Sequence, residues 1–301
     1  MYKKMLVPLD GSKLAEVVFA YARELSGTLD LDLILFHVCR PEESELLPMH
    51  RSYVERAAEI VRRRSREVQE RAGIKPGIKT VEAQVEMAVG HPAEEILNYA
   101  EKNDIDLILM ATHGRSGIGR WAMGSVVDKV LRVSKVPVWL VPAGTPGEIV
   151  YDERPRRTIL VPLDGSELAE EVLPHVETLA KQRGDELVDV VLLTVLEFQI
   201  LSTSYYGKRL QEQEELEYRK RAEQYLAGVE MRLVKRGLRV KSEVLQGKPA
   251  DEIVDYVNRN HFNLIVMATH GLSGLARWAY GSVADRVLHG VLSPIFLVRP
   301  R

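Results

Sequence analysis

The sequence predicts two tandem α/β domains, each a doubly wound, five-stranded parallel sheet. Three observations lead there: the chain repeats itself along its length, each half alternates strand-like with helix-like segments, and most strand-like segments are almost wholly apolar. MLVPLDGSKLAE at 5–16 returns as ILVPLDGSELAE at 159–170, and DLILMATHG at 106–114 returns as NLIVMATHG at 263–271. GHPAEEI at 90–96 answers GKPADEI at 247–253, and VPVWLVP at 136–142 answers SPIFLVRP at 293–300. The landmarks keep their order at offsets of 154 and 157 residues, which marks a domain duplication and not the short period of a solenoid. The predicted domains are 1–143 and 158–301, joined by a linker at 144–157 where glycine, proline and charge interrupt the periodicity.

The elements of the first half follow in order. KMLVPL opens as a strand, and KLAEVVFAYARELS spaces its apolar residues as a helix does. LDLILFHV is a second strand, followed by a loop and a charged helix within 41–73. TVEAQVEM is the third strand, and PAEEILNYAEKN a helix with proline and acids in its first turn, suited to the positive end of the helix dipole. DLILMA, the helix VVDKVLRVS and the strand PVWLV complete the half. Three of these strands are nearly continuous in apolar residues, as expected when helices cover both faces. Strands alternating with helices imply parallel pairing through right-handed crossovers.

Composition bounds the function. Hydrophobic residues make up 46% and charged residues 28%, so the chain can bury a core in each half. A net charge of −2 gives no reason to expect nucleic acid or an anionic membrane as partner. The single cysteine, Cys39, excludes an internal disulfide and a cysteine-based metal site, and a cytoplasmic location is expected. The first residues run straight into a strand without signal-peptide character, and no apolar run approaches the ~20 residues of a membrane span.

Open parallel sheets bind ligands beyond the carboxyl ends of their strands, where strand order reverses. Two duplicated features point to that edge. Asp10 and Asp164 end the first strand of each half; each is a helix cap or turn residue, or a ligand contact. Gly124-Ser125 and Gly281-Ser282 open a helix, with nine residues intervening after Gly114 and Gly271, and helix starts with exposed amides attract phosphate. Ser125 caps its own helix or donates to a phosphate oxygen.

Common motifs are absent. GKP in QGKPA does not complete a phosphate-binding P-loop, GIG at 117–119 becomes GLA at 274–276, and neither GRSG nor GLSG forms a hydrolase elbow. No Ser-His-Asp set or His/Cys cluster is legible, so no catalytic residue and no protein-held metal is expected.

These residues resemble the universal stress protein family in tandem form. The family's adenine-nucleotide signature is glycine, two residues, glycine, nine residues, glycine, then serine or threonine. The chain reads Ala111-Thr-His-Gly114, nine residues, Gly124-Ser125, and again Ala268-Thr-His-Gly271, nine residues, Gly281-Ser282. Both copies depart at the first glycine, where alanine adds a methyl and loses freedom at positive φ. The resemblance implies an adenine-nucleotide-α-hydrolase-like, Rossmann-like fold of strand order 3-2-1-4-5, which binds ATP, ADP or AMP with Mg²⁺ carried in on the phosphates.

For the first half the resemblance implies that Pro8 and Leu9 line the pocket floor, Asp10 contacts ribose or the metal–phosphate region, and Val38 brackets adenine. Met110, Ala111, His113 and Gly114 surround ribose and phosphate, and Gly124, Ser125 and Val126 hold the phosphates. The second-half counterparts are Pro162, Leu163, Asp164, Val195, Met267, Ala268, His270, Gly271, Gly281, Ser282 and Val283. The family also pairs last strands across a two-fold axis, which implies an internal pseudo-dimer and leaves a further homodimer open. Arg120-Trp121 and Arg277-Trp278 fall inside the nine-residue gaps; the arginine pairs with phosphate or covers the indole, and the tryptophan is expected to anchor its loop. Tyr205, Tyr206 and Gly207 form either a flap over the second site or an exposed loop. The function implied is a nucleotide-binding sensor or regulator of the stress response. The rivals are an interaction module that binds no nucleotide, and an enzyme cleaving or slowly hydrolysing ATP, whose SGGxDS or HIGH-type motifs are absent.

Overall fold

The computed structural model describes residues 1–12, 15–71, 81–112, 123–142, 156–198, 205–270 and 281–300. His113, Gly114, Gly271 and both arginine-tryptophan pairs lie outside the described residues. Two compact units emerge, one of Met1–Arg154 with Pro294–Arg299 and the other of Pro155–Ser293 with the last two residues.

In the first unit β1 (Lys4–Leu9), β2 (Asp32–Cys39), β3 (Ala83–Val89), β4 (Leu107–Ala111) and β5 (Val138–Val141) form a parallel sheet in the order β3-β2-β1-β4-β5. The order reverses between β1 and β4, the switch point at which such sheets bind ligands. Helices α1 (Val17–Leu29) and α2 (Leu47–Arg71) pack on one another, as do α3 (Pro92–Lys102) and α4 (Ser125–Val133). Strand alternation assigns the faces of β2. Phe36 meets Tyr99 of α3 at 4.7 Å between ring centroids, and His37 meets His50 of α2 at 4.5 Å.

The second unit repeats the plan with β6 (Arg157–Pro162), β7 (Val188–Leu196), β8 (Arg239–Gln246) and β9 (Leu264–Ala268), ordered β9-β6-β7-β8 and parallel. Its helices are α5 (Glu167–Glu170), α6 (Leu173–Arg183), α7 (Tyr205–Val234), α8 (Pro249–Arg259) and α9 (Ser282–Gly290). Tyr205, Tyr206 and Gly207 therefore begin a 30-residue helix and do not form a loop. The last strand, β10 (Ile295–Val298), belongs to the first unit, antiparallel to β5. There Phe296 is fully buried, with its ring 5.9 Å from Trp139 and 6.1 Å from Tyr2.

The α1–α2 contact is unusually close because Gly27 leaves room for it. A Cβ on Gly27 would stand 2.7 Å from Val68 Cγ1 and 2.9 Å from the Ser65 carbonyl oxygen. Beside it the Ser26 and Ser65 hydroxyls share a buried 2.8 Å hydrogen bond. Glycine inside a helix ordinarily costs stability relative to alanine. At this position the sign reverses: Gly27→Ala is expected to destabilise the protein by about 1–3 kcal/mol through overpacking, read from the denaturant midpoint.

Candidate functional site

At the end of the first strand both halves build the same turn. The Ser12 amide donates to Asp10 Oδ1 at 2.9 Å, and the Ser166 amide to Asp164 Oδ1 at 3.0 Å. Gly11 and Gly165 sit at φ 76° and 85°, the left-handed region that glycine occupies at little cost. The serine then turns to the helix that follows: Ser12 Oγ accepts from the Ala15 amide and Ser166 Oγ from the Ala169 amide. Asp10 and Asp164 are thus turn-forming carboxylates; Ser166 caps α5, whereas Ser12 closes the turn ahead of α1, which no side chain caps.

Each turn faces a tyrosine that the sequence did not single out. The Tyr53 hydroxyl of α2 donates to Glu16 Oε1 at 3.1 Å, and Tyr225 of α7 lies against Glu170 with Asp164 beyond it. Burial, then the neighbouring carboxylates, push both phenols well above the ordinary tyrosine range. The unfolded phenol loses its proton first, near pH ~10, while the folded one keeps it. Folding stability therefore falls as pH rises above that point. Tyr53→Phe and Tyr225→Phe should each flatten this alkaline decline, measured by denaturant unfolding across the range.

The helix starts are duplicated down to single atoms. Gly124 is the N-cap of α4 at φ −61°, and Gly281 that of α9 at φ −58°; no side chain caps either helix. Their amides donate to the Thr112 and Thr269 carbonyls at 3.0 and 2.9 Å. The first helical bonds run from Asp128 to Gly124 and from Asp285 to Gly281, which leaves the amides of Ser125, Val126 and Val127, and of Ser282, Val283 and Ala284, ahead of them. Ser125 and Ser282 are exposed at the first helical position.

The backbone angles give neither glycine a reason to be glycine. Their φ values suit any residue, and a Cβ on Gly281 would meet the Thr269 carbonyl oxygen at an ordinary 3.5 Å. Ion pairs hold both helix starts from the neighbouring helix, Glu94 to Lys129 at 2.7 Å and Asp251 to Arg286 at 2.6 Å. All four side chains are largely exposed, so these pairs orient more than they stabilise.

The remaining sequence-derived residues fall along the same strand ends. Pro8 and Leu9 close β1, Val38 stands near the end of β2, and Met110 and Ala111 are the last residues of β4. Pro162, Leu163, Val195, Met267 and Ala268 occupy the matching places in the second unit. Ala111 and Ala268 are buried strand residues, absent from the positive-φ positions, so alanine there strains nothing in the backbone. His270 is half-buried, its Nδ1 3.0 Å from the Thr269 hydroxyl.

Glu16 and Glu170 end the repeated LAE segment and were legible as a duplicated pair; their tyrosines were not. Tyr53 and Tyr225 are 172 residues apart, out of step with the repeat because the insertion before α7 is longer. Among the described residues no group of three or more histidines, cysteines or carboxylates is arranged to hold a metal. Nor is any described helix long and apolar enough to cross a membrane.

A sequence model of the Universal stress protein family matches residues 1–142 and again 155–299. Universal stress protein YxiE of Bacillus subtilis is 32% identical over 149 residues, 47% of this chain and 99% of that protein. A universal stress protein of Methanocaldococcus jannaschii is 29% identical over 153 residues, covering 51% and 85% respectively. Among solved structures, a universal stress protein from Archaeoglobus fulgidus shares the fold at TM-score 0.66 and 21% identity, with 98% of each chain covered.

Proposed function

The chain belongs to the universal stress protein family in tandem form, and from that premise we propose that each half binds an adenine nucleotide at the carboxyl edge of its sheet. The observation that carries this reading is the duplicated glycine-serine helix start, where the backbone angle demands glycine in neither copy and the described neighbours of Gly281 leave room for a Cβ. Phosphates sit against the amides of Ser125 and Val126, and of Ser282 and Val283, with the serine hydroxyls as further donors. The glycines serve by lacking a side chain, since their own amides are engaged. Asp10 and Asp164 take ribose or the metal–phosphate region, and Val38 and Val195 border adenine. Mg²⁺ arrives with the phosphates and neutralises part of their charge beside these aspartates. His113, Gly114, His270 and Gly271 complete the two sites.

The protein acts as a cytoplasmic sensor or regulator in the stress response, through nucleotide occupancy and not turnover. We also propose that the two halves form an internal pseudo-dimer. Calorimetric titration of the full chain with ATP and Mg²⁺ tests the core of this reading, alongside assay of the purified protein for retained nucleotide. Two sites are expected; no binding at millimolar ATP overturns it.

A further inference from the structure

Behind the first unit's site lies a buried pair of imidazoles. His37 Nδ1 is 2.9 Å from the Leu9 carbonyl oxygen, and His37 Nε2 is 2.5 Å from His50 Nδ1. Both rings are buried, at 3% and 6% exposure. The contacts define the protons. A carbonyl only accepts, so His37 Nδ1 carries hydrogen and donates; neutral His37 then accepts at Nε2, and His50 donates from Nδ1. The chain of bonds runs from α2 through β2 to the last residue of β1, one residue before Asp10.

The second unit makes the corresponding contact without a titratable group. Thr194 Oγ1 donates to the Leu163 carbonyl at 2.9 Å, and Thr194 is likewise buried. Counting back from the paired tyrosines, the counterpart of His50 is Ala222, also buried.

The pair has room for one proton. Added at His50 Nε2 from solvent, it leaves both hydrogen bonds in place and converts His50 to an imidazolium that still donates through Nδ1. A second proton, on His37 Nε2, would set two N–H groups against each other and break the contact. The titratable groups on the elements packed around the pair are Asp10, just after β1, Glu16 in the turn before α1, and on α2 the Tyr53 phenol that bonds Glu16 and feels Asp10. The 3-10 turn Pro41–Leu46 brings Glu43, whose backbone oxygen accepts from the Cys39 thiol. On β3 the register partner of His37 is Met87; Glu86 points to the other face, where it acts on Tyr99. Arg40 and Arg51 flank the pair and are exposed, and Arg51 pairs with Glu55.

We propose that His37 and His50 form a one-proton acceptor that couples anionic-ligand binding at the first unit's strand-end site to proton uptake, and that the second unit lacks this coupling. The inference rests on the nucleotide reading of that site. Phosphate arriving beside Asp10 adds negative potential at the pair and favours its protonated form; reciprocally, the protonated pair favours the anion.

The test is calorimetric titration of ATP into the full chain carrying Gly281→Val, which closes the second site, in two buffers of different ionisation enthalpy. Run near pH ~6.5, where histidine changes charge, it should show roughly half a proton more taken up than in the same chain with His37→Thr, which installs the second unit's own solution. Comparing the two cancels protons exchanged by the nucleotide itself. First-site affinity should rise about threefold more between about pH 8 and about pH 6 with the pair present than with His37→Thr. Should the threonine variant fail to fold, His50→Ala reads the same difference. ATP binding with equal proton uptake in parent and variant overturns the coupling alone, whereas absence of ATP binding at every pH overturns the nucleotide reading and the coupling with it.

Discussion

Gly124→Val is expected to abolish nucleotide binding by the first half and leave the second at full affinity, with Gly281→Val doing the converse. Among the described residues a Cβ at Gly281 meets nothing closer than 3.5 Å, so the variant should fold normally. The branched side chain would stand where phosphate must approach the amides of the first helical turn. A loss of at least about 100-fold in affinity, ~3 kcal/mol, is expected for the altered half, with two-site calorimetry as the readout. Unchanged affinity in both variants would move the phosphate site away from the helix starts.

Phe296→Ala should produce the largest loss of stability. The residue is fully buried at the end of the chain in sequence, yet its ring meets Trp139 and Tyr2 of the first unit. Truncation leaves a cavity between them, and core phenylalanines cost about 3–5 kcal/mol on removal. Hydrogen exchange locates the effect: protection should fall first along β5, which β10 pairs with, and persist along β7. Uniform loss of protection over both units would show that they open as one.

Much of this architecture was legible because duplication printed it twice. Strands such as LDLILFHV and helices such as PAEEILNYAEKN carry their period locally, and α3 and α8 begin at the prolines that announced them. Contacts made across the fold were harder to read. That β10 joins the first unit is a matter of strand pairing, which no local period encodes. Tyr205-Tyr206-Gly207 looked like loop composition, but the long charged helix extends back through it. At the site, Asp10, Gly124 and Ser125 stood out by spacing, yet their division of labour did not. Only geometry shows that the serine after Asp164 caps, that Ser125 does not, and that the Gly124 amide is already used. Tyr53 and His50 were invisible because α2 reaches the strand ends through tertiary packing, with nothing in its own pattern to mark those two side chains.

The hydrogen bonds from Gly124 to Thr112 and from Gly281 to Thr269 tie each strand end to the helix that follows. Loop-closure entropy grows only slowly with length, so a clasp at the base separates the position of the helix start from the composition of the chain between. That intervening stretch is then an exchangeable cassette. Evolution, or an engineer, can rewrite that stretch in one half without moving the helix start, and a duplicated chain can do so in one copy while keeping the other as it was.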